Sequence, residues 1–142
     1  MTDQLSNQKL NQLLIDLGHS LLQFLHECRP WEVATSADAR RKVYELAERQ
    51  RASVGQIVEL LQDRRASIDR GVYPTDYTNL HFVGLEYFYS QLVENGRAII
   101  SSIEDAAEAC SADAEAVSLL DQILASERES LKDLEELADS HG

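Results

Sequence analysis

Glu127 is the residue whose position most demands a chemical explanation. It falls on the stripe Val117, Leu120, Leu124, Glu127, Leu131, Leu134 and Ala138, whose alternating three- and four-residue steps mark the buried seam of a helix. An ionised carboxylate cannot be buried alone, so this side chain must find a donor, a cation, a metal or a proton. Two other apolar stripes are interrupted at comparable height, one by Gln50 with Arg51 beside it and one by Asn95, and the first helix offers His19 and Ser20 at that level. At about 1.5 Å per helical residue, Gln50 and Glu127 share a level roughly 20 Å from one end of a bundle. Glu127, Gln50, Arg51, His19 and Asn95 are therefore expected to form a polar core layer that fixes helix register, or else a ligand site. Should a metal bind, Glu127 and His19 are its candidate ligands. No other cofactor is expected.

The elements that must hold these residues are helices. Only 6 glycines and 2 prolines punctuate 142 residues rich in leucine, alanine, glutamate and arginine, a mixture that starves strands and turns. Four apolar stripes give a single all-α domain over 1–142, with helices at about 2–29, 36–69, 76–110 and 112–140. Pro30 ends the first helix, Gly71 and Pro74 mark the second turn, and Ser111 is the expected cap of the fourth helix. The second connection, read as Asp69 to Tyr77, reaches only about 30 Å when extended, against roughly 45 Å for a 30-residue helix. It cannot cross such a bundle from end to end, so the expected fold is an up-down-up-down antiparallel four-helix bundle. Cys28 and Cys110 fit no metal spacing and are expected as buried thiols at the same end. Gly18, Gly55, Gly84 and Gly96 lie within helices, where close helix approach is the expected reason for a residue that weakens a helix.

With a carboxylate at mid-bundle, the chain resembles the ferritin-like and rubrerythrin-like bundles, in which carboxylates and two Glu-x-x-His turns hold a di-metal centre. Where those turns would stand, this sequence has Glu127-Arg128-Glu129-Ser130 and Gln50-Arg51-Ala52-Ser53, so both histidines and one carboxylate are replaced. Only Glu127 carries over as a ligand. His26 and His81 fall at opposite ends of the expected bundle. There is no phosphate-binding glycine loop, nucleophile elbow or Cys-His pair in helical register.

The formal charge of −12 disfavours nucleic acid and anionic membrane as partners. No apolar run reaches the length of a membrane span, and the start Met1-Thr2-Asp3-Gln4 lacks a secretory signal, which points to the cytoplasm. The stretch from Leu80 to Val93 is apolar around nearly the whole helix, more than a bundle buries on one side. Phe82, Leu85, Tyr87, Tyr89 and Leu92 are accordingly expected to form an interface, with a second copy of the chain or a protein partner. The sequence thus favours a non-enzymatic bundle acting by association, with a metal- or small-ligand-binding bundle as its alternative.

Overall fold

The computed structural model describes residues 2–28, 37–71 and 88–141. They form α1 (Thr2–Gly18), α2 (Leu21–Cys28), α3 (Ala37–Asp63), α4 (Tyr89–Ala109) and α5 (Ala114–His141), and contain no strand. α1 and α2 together occupy the place of one expected helix, so four rods pack together. Residues 76–87 of the expected third helix lie outside the described residues, as does Gly84.

The chain path corrects the expected order. Arg64 meets Asp113 at one end of α3 and Lys42 meets Asp133 near the other, so α3 and α5 are antiparallel. The pairs Arg97–Glu135 and Arg128–Glu104 make α4 antiparallel to α5 as well. α3 and α4 therefore run in the same direction. Arg64–Asn7 and Gln23–Ala47 set the first rod antiparallel to α3, and Leu21–Asn95 agrees with an antiparallel α4. The order is up-down-down-up: every packed neighbour pair is antiparallel, but the diagonals are the first and fourth rods and the second and third.

The expectation failed because the second connection was placed too late and made too short. α3 ends at Asp63 rather than near 69: Ala66 N donates to Leu61 O at 2.9 Å and Arg65 takes the left-handed conformation (φ 55°), a helix stop with no glycine to signal it. The chain then turns back along α1. Asn11 accepts from Asp69 N at 2.9 Å and donates to Asp69 O at 3.0 Å, and His19 Nε2 lies 2.6 Å from Arg70 O, two turns further along. Gly71 (φ 63°) lies so close to Ile15 that a Cβ would fall 2.8 Å from its Cγ2. The connection that joins α3 to α4 thus begins at Arg64, and its first residues already climb toward the far end.

Two apolar clusters fill the interior. One joins Leu10, Leu14 and Leu17 to Ile57, Leu61, Ile103, Cys110 and Leu120; the other joins Leu21, Leu25, Val43 and Leu46 to Phe88, Tyr89, Leu92 and Leu134. Cys110 is buried at one end, while Cys28 closes α2 at the other, contrary to the expectation that they share an end. Close approach explains Gly96, where a Cβ would lie 3.2 Å from Leu131 Cδ1, but not Gly18 or Gly55, which face open space. α5 is capped by Asp113, not Ser111: its Oδ1 accepts from Ala116 N at 3.2 Å.

Candidate functional site

The break between α1 and α2 lies at the height of the polar layer. Ser20 begins α2 as its N-cap, its Oγ accepting from Gln23 N at 3.3 Å. Leu21 N, which a continuous helix would commit to Leu17 O, donates instead to Asn95 Oδ1 at 3.2 Å. Asn95 on α4 thus substitutes for a missing turn of helix, with Gly18 as the last residue of α1. The Ser20-x-x-Gln23 spacing is the sequence signature of such a start, and it was missed because the apolar stripe continues through it.

From Ser20 a chain of hydrogen bonds crosses the core. Ser20 Oγ donates to Gln50 Oε1 at 2.7 Å, and Gln23 Nε2 donates to the same oxygen at 3.0 Å and to Ala47 O at 2.8 Å. Gln50 Nε2 then reaches Glu127 Oε2 at 3.5 Å. At the opposite edge Arg51 Nε donates to Gln23 Oε1 at 2.9 Å. Ser20, Gln23, Gln50 and Glu127 are all buried, Glu127 being only 5 % exposed.

Desolvation dominates the state of Glu127. Burial pushes its carboxyl up to about 7, against smaller opposing effects from the Gln50 amide and the Arg49 charge. Arg49 itself is engaged elsewhere, with Ser130 Oγ at 3.2 Å and Asp133 at 3.5 Å.

Of the five residues expected in the layer, Gln50 and Glu127 meet directly, Arg51 joins through Gln23, and Asn95 joins through the backbone of Leu21. His19 stands outside the relay and faces the carbonyl of Arg70. Gln23 is the important residue that sequence reasoning overlooked. The interface candidates divide: Tyr89 (2 % exposed) and Leu92 (1 %) are core residues of the bundle, which corrects their assignment to a surface, whereas Phe82, Leu85 and Tyr87 lie outside the described residues.

The nearest partner of Glu127 is an amide N–H donor, and among the described residues no three His, Cys, Asp or Glu side chains come together to hold an ion. Among the same residues no helix is long and apolar enough to cross a membrane. Comparison with protein-family models, curated proteins and solved structures yields no match to this chain.

Proposed function

We propose that the protein is a non-enzymatic, cytoplasmic helical bundle that acts by association, first with a second copy of itself, through the apolar residues that precede α4. The observation that carries this reading is how the bundle spends its polar centre: Ser20, Gln23 and Gln50 satisfy one another and end on Glu127, the arrangement of a layer that fixes register. Phe88, Tyr89, Leu92 and Val93 are buried in the core at that end, and Leu80, Phe82, Val83, Leu85 and Tyr87, which precede them in the sequence, continue the apolar stretch on which the proposal rests. Light scattering on the wild type, Phe82→Asp and Tyr87→Asp tests it. A mass above one chain that falls in either variant supports self-association; a wild type that is monomeric at micromolar concentration ends it.

A second reading, a ferritin-like bundle whose centre has been altered, is favoured by the chain path. One long connection between the second and third rods is the topology of that class, and a carboxylate stands at mid-height. Metal analysis after purification without chelator addresses it: stoichiometric metal, lost in Glu127→Ala, would rank this reading first.

A further inference from the structure

The segment that follows α3 lies along the bundle in extended form. Ala66 and Ile68 are half-buried against the core while Ser67 and Asp69 are exposed, the two-residue alternation of an extended chain. Asn11 of α1 grips this main chain at Asp69, accepting from its N at 2.9 Å and donating to its O at 3.0 Å. A carboxamide carries an acceptor and donors in one plane, so one side chain can match the N–H and C=O of a single extended residue. This face of α1 thus already recognises a peptide backbone, that of its own chain.

Beside that contact a groove of about 760 Å³ runs between α1 and residues 66–69. Its α1 wall carries three further carboxamides, Gln4, Gln8 and Gln12, and extends from Gln4 to Ile15, roughly 16 Å, the length of about five extended residues. Gln4 and Gln8 are exposed, and their side chains have no hydrogen-bond partner among the described residues. Neither does the main chain of Ser67 or Ile68. In an extended chain alternate residues turn N–H and C=O to the same side, so Ser67 presents both on the side where Asp69 meets Asn11. An unpaired backbone edge therefore faces unpaired carboxamides across the groove.

We infer that this groove binds an extended segment of a partner protein, held through its main chain by Ser67 on one side and by Gln4 and Gln8 on the other. Strand addition to an unpaired edge is a recurrent mode of peptide recognition, and its affinity comes from main-chain hydrogen bonds. The edge is preorganised: Ala66 N donates to Leu61 O, Asn11 fixes Asp69, and Gly71 sits against Ile15. Asp69 is the one ionisable side chain in the lining, on a chain of net charge −12, so the segment preferred is one that carries a basic residue. This surface is separate from the apolar residues that precede α4, and its occupation does not rest on self-association.

Amide NMR of the full chain, titrated with a capped peptide of alternating threonine and valine carrying one central lysine, tests the groove. Saturable shifts are expected at the Ser67 and Ile68 amides and at the Gln8 side-chain amide. Methylating alternate nitrogens of the peptide should weaken binding by about tenfold or more, because it removes main-chain donors and leaves the side chains intact. Gln8→Ala and Ser67→Pro, the latter deleting the N–H at the edge, should each weaken it by about threefold to tenfold. Arg128→Gln, which alters a pair with Glu104 between α4 and α5, should bind as the wild type does. Melting curves of each variant establish that it is folded. A wild type without saturable shifts at these amides, a methylated peptide that binds equally well, or equal binding by both groove variants overturns the inference. Shifts of the same amides on concentrating the protein without peptide would assign the groove to a second copy and overturn it too.

Discussion

Between pH 4 and 8 an exposed glutamate merely loses its proton, but for Glu127 the same titration weakens the fold. Its carboxyl titrates near 7 in the native state, against 4.5 when solvated, because burial penalises the anion. The folded chain therefore holds a proton that the unfolded chain has released across that interval. The contribution of Glu127 to stability is greatest below about 4.5, declines toward 7 and is flat above it, a loss on the order of 3 kcal/mol at about 1.4 kcal/mol per pH unit. Glu127→Gln keeps the shape and the acceptor oxygen for Gln50 while removing the titration. Urea unfolding should show the variant near the wild type at pH 4 and more stable by roughly that amount at pH 8. Parallel pH profiles would mean that Glu127 ionises as freely in the fold as in water. The Glu127–Gln50 contact was legible in the sequence because both residues interrupt strict seams at matching heights. Gln23 was missed because the helix changes phase at Ser20, so counting along a continuous helix assigns the wrong faces beyond it; His19 lies before that break, its N–H still on Ile15 O, and turns to the carbonyl of Arg70.

Helices proved readable as objects and less so at their ends. The stripes located all four rods, and capping chemistry decided where they stop: Arg65 adopts a left-handed conformation that sequence rules reserve for glycine, and Asn95, distant in sequence, supplies the acceptor that makes the α1–α2 break tolerable. The glycines give a paired prediction at this scale. Gly55 is exposed with nothing near its absent Cβ, so Gly55→Ala should stabilise α3 by up to about 1 kcal/mol through helix propensity alone. Gly96 lets α4 approach Leu131 and Leu134 of α5, so Gly96→Leu should cost about 1–3 kcal/mol through overpacking. Urea midpoints measured on the two variants should move in opposite directions; a shift in the same direction would contradict the packing described.

For the whole molecule, chain order is what sequence alone could not deliver. Either order packs the same apolar stripes with antiparallel neighbours, so hydrophobic pattern does not choose between them, and the choice passes to loop length, itself misjudged once the end of α3 was placed six residues late. Parallel α3 and α4 require a connection that covers the length of α3, whose 27 residues rise about 40 Å. Replacing residues 66–87 with five glycine and serine residues, which reach less than 20 Å, should abolish the native fold of the chain, and a flexible replacement of the original length should retain the helical circular dichroism signal. Retention of native-like cooperative unfolding by a single chain with the short linker would refute the assigned order. The same order settles how the electrostatic poles of the helices are distributed. Alternation around the ring leaves two positive N-terminal poles and two negative C-terminal poles at each end, so the bundle has little net dipole. Arg64 and Asp113 exploit that arrangement: the arginine follows the last residue of α3, at a negative pole, and the aspartate caps α5, at a positive one. Their paired hydrogen bonds at 2.8 Å hold the aspartate below the usual carboxylate range and the guanidinium above its own. One ion pair thereby neutralises two helix ends as well as itself.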